Sequence, residues 1–459
     1  MKETIVSKSA GMRVGKYAAY FLATAGRLSP SGGGWREEKM LINKTLILIF
    51  HFSFFIFHSL TAQNKITAND FISTAMQDPQ LLLHQRQLDF LKNTDYKMPW
   101  ADELEFRTET DEMDLDRQEY LLRFRYNSKA ERNSRWNLHQ SDIQLQEVEK
   151  TLLLEEALMD RYFLLAKYIF VYREINLLKA QQLVGIDKIN VLRKKATALA
   201  EVDLNDLLTT EENNHEMELD LFKLENELQQ LNKLISRRIN TVESIELDTS
   251  GFLSFSELKD KIQQLPKDAG ANYVFTKRQV GLEKNRLEFE KEKADNSWKI
   301  DYVQFKHAGR DRLNFAREWA FGMGVEIPLK DAGRLQRNDI MLDRIEMENR
   351  IELQQKELSE RLQEKFDELD LKLKEHELVT RQLSDSQLQY SSDTYPQYRD
   401  ADPLILLNIK SNLLKRQEDQ LEIEEDVYWL YLEIIELSGK AVELPLRNYL
   451  TDNWGVLNN

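Results

Sequence analysis

The chain has 459 residues, with 63 Lys and Arg against 78 Asp and Glu, and it contains no cysteine. The lack of cysteine excludes a disulfide scaffold, a zinc-thiolate site, a cysteine nucleophile and a lipid anchor on cysteine. The net charge of -15 argues against a nucleic-acid surface, which would be basic. Only 16 Gly and 8 Pro accompany a charged fraction of 31%, so the composition favours long helices over turn-rich compact domains.

The N-terminal segment reads as a leader. Residues 40–62 carry Lys44 and then an apolar run of about 12 residues from Leu46 to Phe57, which is typical of a secretory signal peptide. A retained membrane anchor is the alternative, but the run is shorter than the roughly 20 residues that a spanning helix needs. Residues 1–39 lack a periodic pattern, and we interpret them as an extension upstream of the true initiator, Met40. We therefore expect an exported protein.

The proline positions leave room for very long helices. No proline lies between residues 99 and 266 or between 328 and 396, and proline breaks helix interiors. Both gaps contain long segments rich in Leu, Glu, Lys, Arg and Gln, which are good helix formers. A segment of about 65 residues makes a helix of roughly 100 Å at 1.5 Å per residue. We predict two long helices, each followed by a return helix: 129–195 with 204–235, and 331–388 with 404–437.

The two halves of the chain repeat the same order of elements. Asn127-Ser128-Lys129 precedes the first long helix as Pro328-Leu329-Lys330 precedes the second, at an offset of 201 residues. Asp203 and Asp402 stand at the start of the two return helices, at an offset of 199 residues. Their similar spacing and order predict a duplication of long units, which differs from a solenoid of short repeats. The predicted units are a first repeat over 63–250, a second repeat over 251–440 and a C-terminal tail over 441–459.

A strand hairpin precedes each long helix, over 100–127 and 301–328. Residues 319–327 alternate large apolar with small or polar side chains, the period of two that a lipid-facing barrel strand has. A soluble hairpin with one buried face would alternate in the same way. Four strands cannot close a barrel, so in a membrane several chains would have to share one. The predicted lipid-facing residues are Leu104, Phe106, Tyr120, Leu122, Phe124, Tyr126, Val303, Phe305, Trp319, Phe321, Met323, Val325 and Ile327.

These features together resemble the outer membrane efflux proteins, the TolC family, from about Ile66 to Gly439. The most specific stretch is 321–334, which is similar to that family's strand ending in Pro-Leu followed by a Gly-Arg helix start. The Asp78-Pro79 pair and the Tyr-rich, Leu-rich end of the last helix match the family as well. The Gly that the family commonly has in its two tip turns is absent here.

The resemblance implies a mainly α fold with a small β part. Two tandem repeats of long coiled-coil helical hairpins would form a trimeric periplasmic α-barrel, and four strands per chain would join a shared 12-stranded transmembrane β-barrel. Such a homotrimer sits in the outer membrane of a Gram-negative bacterium, in contact with its lipid. It passively conducts substrates from an inner-membrane transporter, to which a periplasmic adaptor protein joins it.

Acidic side chains mark the two turns into the return helices. Repeated threefold around an opening, such carboxylates would favour cations and form a charge-controlled constriction. Asp203 and Asp402 also stand where an Asp caps a helix N-terminus, and both roles are compatible. The candidate gate residues at the periplasmic tip are Glu201, Asp203, Asp206, Asp400 and Asp402.

We find no pattern that indicates catalysis. No histidine has the spacing of a metal site, and Gly-rich phosphate loops and nucleophile motifs are lacking. We therefore predict no catalytic, cofactor-binding or metal-binding residues, no enzyme activity and no nucleic-acid partner. The alternative to an exit duct is a soluble periplasmic coiled-coil scaffold or adaptor. An adaptor should contain one helical hairpin inside β-rich domains, so the duplicated hairpin favours the duct.

Overall fold

The computed structural model describes nine segments of the chain. The predicted leader, 1–39 and 40–62, lies outside them. The described segments are 65–110, 118–197, 204–241, 246–267, 272–308, 319–329, 333–384, 402–451 and 454–457.

Helices dominate these segments. The helices are α1 (Ala68–Ser73), α2 (Pro79–Asn93), α3 (Lys129–Thr197), α4 (Leu204–Arg238), α5 (Phe255–Ile262), α6 (Tyr273–Asp295), α7 (Arg334–Ser384) and α8 (Pro403–Leu437). The strands are β1 (Lys65–Thr67), β2 (Ala101–Thr110), β3 (Gln118–Tyr126), β4 (Glu246–Asp248), β5 (Lys299–Ala308) and β6 (Trp319–Glu326). The predicted mainly α fold with a small β part is confirmed.

Two long helices, α3 and α7, form the main part of the fold. Helix α3 has 69 residues and α7 has 51, while the return helices α4 and α8 have 35 each. Helix α4 packs against α3, and α8 packs between α3 and α7. The last predicted turn of α7, residues 385–388, lies outside the described residues. Within the described part of the chain, no helix is both long enough and apolar enough to cross a membrane.

Helix α6 lies between α3 and α7, beyond the C-terminal end of α8. It too packs against both long helices. The two shorter helices meet end to end, because the side-chain amide of Asn272, which precedes α6, donates to the carbonyl of Leu437 at the end of α8 at 3.0 Å. The oxygen of the same amide accepts from the N–H of Val274 and caps α6.

The strands β2, β3, β5 and β6 form one antiparallel sheet in that order. The two hairpins predicted from the sequence therefore lie side by side, joined through β3 and β5. A register shift falls near one end of each hairpin, at Ala101/Glu103 and at Ile300/Tyr302. Strands β1 and β4 form a separate parallel pair of three residues each.

A capping box starts α3 directly after the first hairpin. The Ser128 hydroxyl accepts from the N–H of Glu131, and the Glu131 carboxylate accepts from the N–H of Ser128. Glu131 is buried and also accepts from Lys299 Nζ at 2.7 Å. Burial alone would raise the pKa of Glu131, but the hydrogen bonds from Lys299 and Ser128 outweigh it and lower that pKa. This contact ties the start of α3 to the start of β5.

The described part of the predicted C-terminal tail, 441–451 with 454–457, contributes to the hydrophobic core. Tyr449 and Leu450 are fully buried. The Tyr431 hydroxyl of α8 donates to the carbonyl of Tyr449 at 3.0 Å, and the N–H of Leu253 donates to the carbonyl of Leu450 at 2.9 Å. The tail thus fastens the end of α8 to the segment before α5.

Candidate functional site: a two-faced sheet and the ends of the long helices

One face of the four-stranded sheet is almost wholly apolar. Side chains on a strand alternate between faces, so residues paired across strands at alternate positions share a face. In β5 and β6, Phe305 lies opposite Phe321, and their rings are 5.4 Å apart. The three cross-strand rows of this apolar face are Leu104, Phe124, Val303, Met323; Phe106, Leu122, Phe305, Phe321; and Thr108, Tyr120, His307, Trp319.

Most of the predicted lipid-facing residues are exposed in the single chain. The exceptions are Leu122, Phe124 and Val303, which are half-buried on the two central strands. Exposed fractions of the others run from 39% at Tyr120 to 74% at Ile327, which follows the end of β6. A contiguous apolar surface of this kind marks an interaction site with protein or membrane. Nothing else in the described chain covers it.

Aromatic side chains gather at both ends of this face. At one end the ring of His307 lies 6.3 Å from Tyr120 and 4.7 Å from Trp319. At the other end Trp100 lies 5.3 Å from Tyr126. Transmembrane barrels carry aromatic girdles at both membrane interfaces, and this placement is typical of them.

The opposite face of the sheet is polar and charged. Arg123 is bound by Glu105 at 3.0 Å and by Gln304 at 3.1 and 3.2 Å, and it lies 4.6 Å over the ring of Tyr302. Another ion pair, Arg125 with Glu103 at 2.8 Å, occupies the next row. The sequence predicts only that these residues alternate along the strands. Their cross-strand partners depend on the strand register, which the sequence does not reveal.

Two glycines of β6 make room on the polar face. A Cβ at position 324 would lie 2.3 Å from the ring of Tyr302, and one at position 322 would lie 2.8 Å from the side chain of Gln304. A side chain at either position would displace the groups that hold Arg123. Gly322 and Gly324 therefore belong to the polar network, although the sequence indicated them only as small residues of an alternating strand.

Both outer strands of the sheet have a free edge. Within the described residues β2 pairs only with β3, and β6 only with β5. Strand edges carry unsatisfied N–H and C=O groups, which lipid cannot satisfy.

Two of the gate candidates are described, Asp206 in the first turn of α4 and Asp402 at the start of α8. Asp402 caps α8 by accepting from the N–H of Leu404 at 3.0 Å, and it also accepts from Lys195 Nζ at 2.6 Å. The bond from Lys195, together with that N–H, lowers the pKa of Asp402. Asp206 is exposed in the first turn of α4. Glu201, Asp203 and Asp400 lie outside the described residues.

The contact between Lys195 and Asp402 was not predicted. These residues are 207 positions apart, and only the packing of α8 against α3 brings them together. Within the described segments, no three His, Asp or Glu side chains are placed to hold a metal ion. The described contact at this end is the ion pair of Lys195 with Asp402.

The fold thus combines a four-stranded sheet, which has one apolar and one charged face, with two pairs of a long helix and a return helix. No family model and no curated protein sequence matches this chain. Solved structures do match. CusC, described for its transmembrane channel formation, is 12% identical with a TM-score of 0.60, covering 82% of this chain and 91% of that one. The outer membrane protein VceC from Vibrio cholerae is 16% identical with a TM-score of 0.55, covering 81% and 96%.

A third match is the MtrE outer membrane channel from Neisseria gonorrhoeae in its open state. It is 11% identical with a TM-score of 0.51, and the alignment covers 81% of this chain and 88% of that one. The chain therefore has the fold of the TolC-type outer membrane channels, as the resemblance in its sequence implied.

Proposed function

We propose that three copies of this chain form an outer-membrane exit duct of a tripartite efflux or secretion system. The duct passively conducts substrates that an inner-membrane transporter delivers through a periplasmic adaptor. The observation that carries the proposal is the four-stranded sheet with one exposed apolar face, one charged face and two open edges.

The dimensions of the sheet suit an outer membrane. Its strands have 8 to 10 residues. At about 3.3 Å per residue they are roughly 30 Å long, and a tilt of about 40° reduces their height to that of the apolar band of roughly 25 Å in such barrels. The apolar face would meet lipid, and the charged face would line a wet lumen.

Closure of the sheet sets a lower limit on the number of copies. Open strand edges are not tolerated in lipid, so each β2 edge must pair with a β6 edge of another copy. Two copies would give eight strands, an interior that side chains alone fill. Three copies give twelve strands and leave space for a channel between side chains such as Arg123 and Arg125.

The test is to fractionate a Gram-negative host that expresses the chain and to measure the mass of the detergent-solubilised particle. We expect recovery in the outer membrane at three chain masses, because apolar sheet faces require lipid and open edges require closure. Recovery as a soluble periplasmic species would refute the duct and support the scaffold or adaptor. A membrane particle of one or two chain masses would refute the trimer alone.

A further inference from the structure

A cavity of about 900 Å³ lies where α6 and α8 meet end to end. Helices α3 and α7 form its side walls, since the two shorter helices fill the space between them elsewhere. The last turn of α8, with Glu433 and Glu436, and the start of α6, with Asn272 and Val274, close its ends. Its volume is within the range of sites that bind small organic molecules.

Buried oxygens of residues that line this cavity lack a hydrogen-bond donor in the described chain, among them Oε1 of Glu155, Oε1 of Gln354 and Oδ2 of Asp160. Glu155 of α3 lines the cavity and is only 7% exposed, and its Oε1 makes no hydrogen bond within the described chain. Oε1 of Gln354 on α7 lines the same cavity and is likewise buried without a partner. A buried acceptor without a donor is costly, and more so when it belongs to a carboxylate. The Glu155 carboxylate would therefore be stabilised by a cationic group that donates hydrogen bonds.

The charged groups around Glu155 do not neutralise its carboxylate. Lys365 forms an ion pair with Glu433 at 2.9 Å, and Asp160 forms an ion pair with Arg238 at 2.8 Å. The titratable and charged groups lining the cavity are Glu155, Glu156 and Asp160 on α3, Arg361 and Lys365 on α7, and Glu433 and Glu436 on α8; the lining residues of α6 carry none. Five carboxylates thus face two cations.

Burial raises the pKa of Glu155 to about 7, with a further contribution from the charge of Glu436. The cavity therefore contains a carboxyl group that is poised between its neutral and charged forms near neutral pH. A bound cation would favour the charged form.

Part of the wall is apolar. Phe163 stacks on Trp429 at 5.3 Å between ring centroids, and Leu152, Met159 and Leu358 line the cavity beside it. An occupant therefore needs an apolar body as well as a cationic donor. A bare metal ion fits poorly, because no three metal-ligand side chains converge in the described chain.

We propose that this cavity binds a small organic ammonium ion, whose N–H groups donate to the carboxylate of Glu155 while its apolar part packs on the wall beside Met159 and Phe163. Such a site lies within the wall of a single chain. It goes beyond the proposed conduit, and it would hold whether or not three copies assemble.

The test is calorimetric titration of the full chain in detergent with phenethylammonium, with phenethyl alcohol as the uncharged analogue. We expect saturable binding of the amine and at least tenfold weaker binding of the alcohol. Glu155→Gln should weaken amine binding at least tenfold, since it removes the charge with little change of shape. Glu216→Gln, an exposed position on α4 away from the cavity, is the matched control and should bind as the unaltered chain does.

A second measurement uses the unaltered chain and follows the proton released on binding. At pH 6 Glu155 is largely protonated, so binding of the cation should release about one proton, measured by repeating the titration in buffers of different ionisation enthalpy. The proposal is overturned by equal binding of amine and alcohol, by unchanged affinity in Glu155→Gln, or by cation binding with no proton release.

Discussion

At the scale of single residues, Arg161 shows how this chain holds a charge inside its core. Its side chain is 1% exposed, yet every part of the guanidinium has an acceptor. It donates to Asp78 at 3.0 Å, to the Thr74 hydroxyl at 3.1 Å and to the carbonyl of Ala157 at 2.8 Å. Asp78 also caps α2 through the N–H of Gln80. One carboxylate therefore fixes a helix start and neutralises a buried cation.

Removing that carboxylate should be strongly destabilising. Asp78→Ala removes the closer counter-charge of the buried Arg161 and leaves only Asp160 at 3.8 Å, so we expect a loss of about 3–5 kcal/mol in the free energy of unfolding. Asp78→Asn keeps a capping oxygen and should lose less. Asp89→Ala, at an exposed position of the same helix, should change stability by less than about 0.5 kcal/mol. Denaturant unfolding followed by circular dichroism measures this order; equal midpoints for Asp78→Ala and Asp89→Ala would contradict it.

Glu155 should make stability depend on pH near neutrality. Its folded pKa of about 7 lies above the ordinary value of 4.5, so the folded chain binds more protons than the unfolded chain between those pH values. Stability therefore falls as pH rises through this window, by up to about 3 kcal/mol, and is constant above it. Glu155→Gln should be the more stable form at pH 8 and lose this slope. An identical slope from pH 5 to 8 in both forms would contradict the assignment.

At the scale of elements, the C-terminal tail should be as important for stability as a core helix. Tyr449 is fully buried, and its hydroxyl donates to the carbonyl of Lys440 at 2.9 Å. Tyr449→Ala should cost about 3–5 kcal/mol through the cavity it leaves, whereas Tyr449→Phe should cost about 1 kcal/mol for one hydrogen bond. Thermal unfolding compares the two variants. If alanine were tolerated as well as phenylalanine, the tail would not be part of the core.

The two faces of the sheet offer a matched test of membrane placement. Phe321→Arg puts a charge on the apolar face, where a barrel would pay roughly 2–4 kcal/mol at the bilayer midplane. Ala320→Arg puts the same charge on the opposite face of β6, beside Lys306, where water would be available. We expect only Phe321→Arg to lower the amount assembled in the outer membrane. Equal assembled levels for both variants would remove the lipid-facing assignment.

The sequence predicts those elements that have a local signal. Proline-free runs of helix formers locate α3 and α7, and a period of two locates β6. Contacts between distant segments have no such signal. From the sequence, Arg161 is a charged residue that interrupts an apolar helix. Only the fold shows that it pairs with Asp78, which lies 83 residues earlier in the chain. The strands β1 and β4 are too short to have a period, and the tail has no regular element longer than three residues.

At the scale of the whole molecule, helices α4 and α7 expose apolar side chains, just as the outer strands of the sheet expose unpaired edges. Within the described chain α4 has its main packing contacts with α3, and it exposes Leu219 and Phe222 at 61% and 65%. On the other side α7 exposes Leu371 and Leu378 at 64% and 52%. Closing the sheet edges with neighbouring copies would bring the α4 edge of one copy to the α7 edge of the next. A ring of copies thus covers both kinds of edge with one symmetry operation.

Phe222 should accordingly be needed for the trimer and not for the fold of one chain. Phe222→Asp removes an apolar contact that is worth about 1.5–3 kcal/mol when buried, and it does so at each of three interfaces. Asn213→Asp adds the same charge nine residues away, half a turn round the helix, and is the control. In detergent, light scattering should report a loss of trimer mass for Phe222→Asp alone, while circular dichroism shows unchanged helix content. A trimer that survives Phe222→Asp would mean that α4 faces solvent and that closure relies on the sheet edges.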